Sequence, residues 1–212
     1  FLIKITKSKP IYSFKSLDKF NHKVWIVDRE KNLKTLKNFI KKINKIYICD
    51  GHHRIQGMIN SNKKISPMII AFPHNQIQIL DYNRVLKSKL SIEKIFNIIS
   101  KNFIIKKIKN NSKSLKKGNM EMYVNYQWYS LKLIKNNNKL DVTTLHENII
   151  RKIKVDKIEY ISGINGSSTL KRLVNSKNFN IAFKLCPTNI SSVMKIADKK
   201  KFMPPKSTWF HP

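Results

Sequence analysis

The stretch IYICDGHHRIQG, residues 46–57, joins a short apolar run to a helical pattern through four polar residues and a glycine. Its first four residues are typical of a buried strand. Apolar side chains then recur at helical spacing, at Ile55, Met58 and Ile59. The stretch therefore predicts a strand that turns directly into a helix at Gly51.

The residues on either side extend this alternation. Apolar runs at 24–28 and 67–72 are typical of buried strands, and a helical pattern occupies 31–43 between them. Strands that alternate with helices indicate an α/β arrangement. We therefore predict a mixed α/β (α+β) fold that begins with a strand–turn–helix element.

The pattern changes after residue 89. Two apolar, alternating segments flank Asn125-Tyr126 and predict a β-hairpin, and further strands and helices alternate to the end of the chain. These changes suggest a boundary between 1–89 and 90–212, the second part being a mixed α/β region.

The composition fits a globular protein. The chain has 212 residues, of which 41% are hydrophobic, so it can form one large domain or two small ones. Lysine or asparagine interrupts each apolar run before it could span a bilayer, and no charged-then-apolar leader opens the chain. We expect a cytoplasmic protein without a membrane partner.

The net charge of +31 would ordinarily suggest a nucleic-acid partner. However, 38 of the 43 basic residues are lysine, and the lysines are dispersed rather than grouped in a basic tail. The abundance of lysine, isoleucine and asparagine is typical of an AT-rich genome. We interpret the charge as a solvated lysine surface and do not expect nucleic acid as a partner.

The segment DGHHR combines groups that suit an anion. The first amides of a helix lack internal partners and, with the helix dipole, favour phosphate. Gly51 permits a close approach or a positive φ, and Arg54 offers a planar donor fork. His52 and His53 can donate hydrogen bonds. Asp50 would repel phosphate, so it is a candidate Mg²⁺ ligand or proton acceptor.

Two other interpretations of this segment remain open. It could be a capped turn in which Asp50 binds backbone amides and the histidines lie on the surface. It could also be a metal centre that uses Asp50 with His52 or His53. No H-x-x-x-H partner is present, and adjacent histidine side chains diverge, so we predict no protein-bound metal site.

Several motifs resemble one bacterial and archaeal family, the domain-of-unknown-function family 1015. They cover nearly the whole chain, and the first and last are the most specific. In order they are YICDGHHRIQG, YNRV (82–85), LDVTTLHENII (140–150), AFKLCP (182–187), SVMKIAD (192–198) and MPPKSTWF (203–210). Members of that family are longer, so the chain looks like a C-terminal portion of such a protein.

DGHHR is also similar to the phosphate-contacting motif of the ParB/sulfiredoxin-like fold, which includes free-serine kinases that phosphorylate L-serine with ADP or ATP. The resemblance implies ATP or ADP with Mg²⁺, with a nucleotide phosphate held from Gly51 to Arg54. Asp50 would then lie near the transferred group, and Asp50 and His53 are the candidate catalytic residues. Those kinases also use an upstream acidic residue, which no position here matches.

Two further segments supply candidate ligands. In MPPKSTWF, Lys206, Ser207 and Thr208 suit phosphate, although the segment could equally be a terminus pinned by its aromatic residues. Tyr82 and Arg84 alternate onto one face of a predicted strand, where they could hold a substrate carboxylate or phosphate.

Other conspicuous residues have simpler explanations. His146 lies in the apolar stripe of a helix and is expected to be a buried core histidine. Trp128 and Tyr129 are expected in the core of the hairpin. The glycine- and serine-containing segment 163–168 precedes a helix, and we interpret it as an ordinary capped loop.

The sequence thus favours a nucleotide-dependent phosphotransferase acting on a small hydroxyl metabolite, with free L-serine as the first candidate. The alternative is a regulatory protein that binds a nucleotide or phosphate without turnover. A charge-driven nucleic-acid-binding protein ranks third. Expected partners are a nucleotide and a small-molecule substrate, and the sequence leaves the oligomeric state open.

Overall fold

The computed structural model describes residues 1–17, 19–61, 66–112, 114–135, 139–204 and 206–211. The chain divides into two compact units, Phe1–His52 and His53–Pro212. These units are groups of mutually contacting residues, so the predicted domains 1–89 and 90–212 stay a prediction.

The first unit contains two short helices and one β-hairpin. Its elements are α1 (Leu2–Ile5), β1 (Tyr12–Lys15), β2 (Asn21–Val24) and α2 (Glu30–Ile40). The two strands pair in antiparallel register from Tyr12 opposite Val24. The helix predicted at 31–43 is confirmed, and Leu33 and Leu36 form its half-buried face.

Three strands predicted in the first third of the chain are wrong. Strand β2 ends at Val24, and residues 25–28, 46–49 and 67–72 have no strand assignment. An apolar run indicates burial, but a strand also needs a neighbouring strand to satisfy its backbone groups. Among the described residues, none of these segments has such a neighbour, and residues 67–72 are exposed.

The second unit contains the large sheet. Its helices are α4 (Ile92–Ser100), α5 (Asp141–Leu145), α6 (Gly166–Asn175) and α7 (Ile190–Asp198), and α3 (His52–Asn60) begins at the last residue of the first unit. Its strands are β3 (Gln78–Leu80), β4 (Tyr82–Ser88), β5 (Phe103–Ile108), β6 (Asn119–Val124), β7 (Gln127–Leu133), β8 (Val155–Ser162), β9 (Ile181–Lys184) and β10 (Trp209–His211). The predicted mixed α/β fold is confirmed.

Six strands form one antiparallel sheet in the order β5–β7–β6–β9–β4–β8. The hairpin β6–β7 is confirmed, and its turn residues Asn125 and Tyr126 have φ values of 46° and 59°. Positive φ at both central residues is the geometry of a type I′ turn, whose twist matches that of paired strands. Strands β3 and β10 form a separate antiparallel pair, with Leu80 opposite Trp209.

Successive side chains of a strand point to opposite faces of the sheet, so each face of the large sheet packs against a separate hydrophobic core. Leu86 of β4 belongs to the larger core, into which α4 and α5 pack. Its neighbour Val85 belongs to the smaller core, into which α6 packs through Leu170 and Val174. Trp128 lies in this smaller core as predicted, and Tyr129 packs against the larger one.

The polar side chains at the starts of two helices in this unit have different roles. The side chain of Ser91 accepts a hydrogen bond from the backbone nitrogen of Lys94 at 3.4 Å, which caps α4. Asp141 is instead the first residue of α5. Its carboxylate accepts from the backbone nitrogen of Gly118 at 3.0 Å and 3.1 Å, so it holds the preceding hairpin.

The prediction of a buried His146 is wrong, because this side chain is exposed. Helix α5 continues from His146 to Ile150 as a π-helix, which changes the spacing of the side chains. Leu145 and Ile149 face the core, and His146 turns toward solvent.

In the part of the chain that the structure describes, no helix is both long and apolar enough to cross a membrane.

Candidate functional site

Arg84 is the centre of a polar cluster on one face of strand β4. Only 3% of the residue is exposed, so its charge is almost completely removed from water. Nη2 donates to the carbonyl oxygen of Lys206 at 3.0 Å, and Nη1 donates to the carbonyl oxygen of Tyr82. The guanidinium also lies over the ring of Tyr160, 5.3 Å from its centroid.

The charge of Arg84 has no described counter-ion. Burial lowers the pKa of Arg84 to about 10, with a smaller opposing effect of Tyr160. Among the residues that the structure describes, no carboxylate forms an ion pair with it. Since a buried cation is stable only when compensated, this position favours binding of an anion.

The C-terminal segment meets the same strand. The ammonium of Lys206 lies 5.8 Å from the centroid of the Tyr82 ring, and the ring of Trp209 meets Tyr82 edge-on at 5.6 Å. Pairing of β10 with β3 fixes this approach. The aromatic anchor and the candidate phosphate ligands are therefore parts of one arrangement, which we call the Arg84 cluster: Tyr82, Arg84, Tyr160, Lys206 and Trp209.

The other predicted ligands of this segment differ in their surroundings. Ser207 is buried, and its hydroxyl donates to the carbonyl oxygen of Pro204. Thr208 is half-buried, whereas Lys206 is exposed and has a positive φ of 55°. Pro205 lies outside the described residues. The phosphate-binding roles of Lys206, Ser207 and Thr208 stay predictions.

The DGHHR segment has part of its predicted local geometry. Gly51 has a φ of 81°, in the region that glycine adopts at little cost, and α3 begins at the next residue. His52, His53 and Arg54 are exposed on the first turn, and Asp50 is exposed before it. The helix and the special backbone at Gly51 are confirmed, while the phosphate site stays a prediction.

Tyr160 is a member of the cluster that sequence reasoning missed. It lies directly opposite Arg84 in the antiparallel pair of β4 and β8. The two residues are far apart in the chain, so only the register of these strands brings them together. An aromatic residue in an alternating strand was a signal, but it pointed to no particular partner.

Metal ligands are a further question for this site. Among the described residues, no group of three or more histidine, cysteine, aspartate or glutamate side chains could hold a metal ion.

Solved structures with a similar fold share little sequence with this chain. A mutant of a free serine kinase in complex with AMP matches with a TM-score of 0.51 and 15% identity, over 87% of this chain and 81% of that chain. Another free serine kinase mutant in complex with AMP matches with a TM-score of 0.50 and 15% identity, over 77% of this chain and 67% of that chain. A third mutant, in complex with ADP, matches with a TM-score of 0.49 and 16% identity, over 77% of this chain and 66% of that chain. This chain therefore spans less than two thirds of that protein.

At these identities the likeness shows the fold alone. No curated protein matches the chain. A family model does match, over residues 2–160, which is well over half of the 212 residues. The chain therefore belongs to the family described as "Protein of unknown function (DUF1015)".

Proposed function

We propose that the protein transfers a phosphoryl group from a nucleotide to the hydroxyl of a small metabolite, with free L-serine as the first candidate. The observation that carries the proposal is Arg84, a buried guanidinium without a described acidic partner, held beside Lys206. A phosphate or carboxylate is the anion that such a planar donor fork binds best.

The hydrogen-bond capacity of Arg84 supports this assignment. A guanidinium carries five N–H donors, and the structure assigns two contacts to carbonyl oxygens. Carbonyl oxygens orient the group but do not neutralise its charge. The remaining donors and the nearby ammonium of Lys206 can serve an anionic group of the substrate.

The nucleotide would be ATP or ADP with Mg²⁺, bound through residues 51–54. Support comes from the positive φ of Gly51 and the start of α3, which direct backbone amides outward. Further support comes from the similar fold of free serine kinase mutants in complex with AMP. Arg54, His52 and His53 would contact phosphate oxygens, and a nucleotide-dependent reaction fits a cytoplasmic location.

In the transfer step, the metabolite hydroxyl oxygen forms a bond to phosphorus as the bond from phosphorus to the nucleotide oxygen breaks. The hydroxyl proton passes to the carboxylate of Asp50, the proposed base. His53 is the second candidate for proton transfer, and Lys206, Ser207 and Thr208 are candidate ligands of the phosphoryl group. Mg²⁺, held through the phosphates of the nucleotide, would supply neutralisation of the charge that develops.

The test is a product assay with the purified protein. The purified protein is incubated with Mg²⁺ and ATP or ADP, together with L-serine or other small hydroxyl metabolites, and ³¹P NMR follows the products. We expect a new phosphomonoester and its loss in Asp50→Asn. Nucleotide binding without product across the panel would overturn the enzyme and favour the regulatory alternative.

A further inference from the structure

A second polar cavity lies on the opposite face of β4 from the Arg84 cluster. Its volume is about 310 Å³, which is at the small end of ligand sites in proteins. Asp81, Asn83, Ser112, Gly163, Ser167 and Lys184 are among its lining residues. None of them belongs to the site predicted from the sequence.

Next to the cavity, at one end of the smaller core, the side chains on this face of the large sheet change from apolar to polar. Three strands that lie side by side, β6, β9 and β4, each carry an apolar core residue and, two positions away on the same face, a polar one. The polar residues are Glu121, Lys184 and Asn83. Glu121 is directly opposite Lys184, and the side-chain oxygen of Asn83 accepts from the backbone nitrogen of Leu185 at 3.1 Å.

Two buried carboxylate oxygens here have no hydrogen-bond partner among the described residues. Asn83, which lines the cavity, is itself 2% exposed. Glu121 is 1% exposed; its Oε1 accepts from the backbone nitrogen of Ser112 at 2.8 Å, but its Oε2 has no described partner. Oδ2 of Asp81 is also buried without a described partner. Such groups are costly unless something binds them.

The position of Asp81 depends on a glycine. A Cβ atom at Gly163 would collide with the Asp81 carboxylate, and the backbone nitrogen of Gly163 donates to the Asp81 carbonyl oxygen at 2.8 Å. The segment that begins at Gly163 therefore packs closely against the Asp81 carboxylate. This gives the cavity a negative wall.

The other wall is positive. Helix α6 begins at Gly166, which has a φ of 65°, and no side chain caps its start. In the segment 163–168, the Ser162 hydroxyl accepts from the backbone nitrogen of Ile164 at 3.3 Å and caps the short 3₁₀ helix Gly163–Asn165, as a capped loop would, whereas the start of α6 stays open. Ser167 lines the cavity there, and Lys184 donates to the carbonyl oxygen of Ser112 and keeps its ammonium at the same place.

We propose that this cavity binds a small zwitterion of the amino-acid class. The ammonium group of the ligand meets the Asp81 carboxylate, and its acid group meets the start of α6, the ammonium of Lys184 and the amide of Asn83. A purely anionic ligand would be repelled by Asp81, and a purely cationic one by Lys184 and the helix start. Glu121 positions Ser112 behind the wall.

The inference does not rest on the proposed phosphotransferase, because Tyr82 and Arg84 face away from this cavity. The test measures binding of each of the common L-amino acids to the purified protein by isothermal calorimetry. The N-acetyl and carboxamide derivatives of the tightest ligand are then compared with it. We expect each derivative to bind about tenfold or more weakly, since each loses one charged contact.

A pair of serine variants tests the position of the ligand. Ser167→Glu adds a carboxylate at the start of α6, where a helix tolerates it well but a ligand acid group is repelled. Ser168→Glu makes the same change at an exposed residue outside the cavity lining. We expect the first to abolish binding and the second to preserve it, with unchanged circular dichroism in both.

Three results would overturn the proposal: no amino acid binds, the derivatives bind as well as the parent, or Ser167→Glu binds like the wild type. Arg84→Gln tests whether this cavity and the Arg84 cluster are separate sites. The binding that Ser167→Glu abolishes should remain in Arg84→Gln, even where substrate binding at the Arg84 cluster is weakened, and its loss in a folded Arg84→Gln protein contradicts two separate sites.

Discussion

Arg84 and Lys206, 122 positions apart in the chain, are joined by a hydrogen bond of 3.0 Å from Nη2 of Arg84 to the carbonyl oxygen of Lys206. The bond ties the C-terminal segment to strand β4 of the large sheet, next to the edge strand β8. Because its acceptor is an uncharged backbone carbonyl oxygen, this bond does not neutralise the charge of the guanidinium. The charge that remains is the basis for an anion site at this position.

Replacing Arg84 with glutamine tests that site. The variant keeps a hydrogen-bonding side chain but loses the charge and the planar fork, so we expect transfer activity to fall through weaker substrate binding. A lost charged hydrogen bond costs about 1.5–3 kcal/mol, which is about a 10- to 100-fold decrease in kcat/KM. Steady-state kinetics at varied substrate concentration measure it.

The control is Arg151→Gln, at an exposed arginine of the same unit. It removes the same charge without touching the Arg84 cluster, and its kcat/KM should match the wild type. Equal losses in both variants would mean that only the overall charge matters. Arg84→Lys should recover little activity, because an ammonium lacks the planar fork.

Asp50→Asn separates catalysis from binding. If Asp50 accepts the hydroxyl proton, its loss should lower kcat by about 10²- to 10⁴-fold. Nucleotide affinity should stay the same or rise, since one negative charge near the phosphates is removed. Rapid-quench kinetics and nucleotide titration measure the two effects.

Asp28→Asn is the matched control for this prediction, because Asp28 is also an exposed acid of the first unit. Its kcat should not change. A variant of Asp50 that loses nucleotide affinity and keeps kcat would show that this carboxylate acts through Mg²⁺ or structure and not as a base.

Two glycines of the opening motif should respond in opposite ways to alanine. Gly51 has a φ of 81°, so Gly51→Ala is expected to destabilise the protein by about 1 kcal/mol. Gly57 lies inside α3 with open space around its added Cβ, so Gly57→Ala should stabilise that helix by about 0.5–1 kcal/mol. Urea unfolding followed by circular dichroism measures both.

The same pair tests the phosphate role of the turn. Gly51→Ala should also weaken nucleotide binding, because the backbone amides at the start of α3 change direction. Gly57→Ala should leave it unchanged. Unaltered binding in a folded Gly51→Ala protein would contradict a phosphate at this turn.

Local patterns predicted most of the second half of the chain. The turn at Asn125-Tyr126 is specified by neighbouring residues, and it formed as expected. The apolar runs at 46–49 and 67–72 did not form strands, because their hydrophobicity specifies burial but no pairing partner. A strand depends on residues that are distant in sequence.

The same limit applies to the sites. Alternation correctly placed Tyr82 and Arg84 on one strand, but nothing near them in sequence pointed to Lys206 or Tyr160. The second cavity was missed because its polar residues occur singly. Asn83 and Lys184 interrupt apolar strands about a hundred positions apart, and the pairing of β4 with β9 brings these strands together.

The pH dependence of stability should show two carboxyl groups with opposite behaviour. Burial raises the pKa of Asp141, although the backbone of Gly118 and the charge of Lys117 partly offset it. The folded state therefore holds the Asp141 proton more tightly than the unfolded chain. Its contribution to stability is fully present below the unfolded pKa and decreases as pH rises through the folded value.

Glu147 should do the reverse. A hydrogen bond from Lys139, 2.6 Å long, is the main cause that lowers the pKa of Glu147, so its contribution is present above the unfolded pKa and disappears in acid. The free energy of unfolding of the wild type minus that of Asp141→Asn should fall between about pH 3 and pH 7. The corresponding difference between the wild type and Glu147→Gln should rise over the same range. Urea titrations at stepped pH measure both differences, and slopes of the same sign would contradict the assignment.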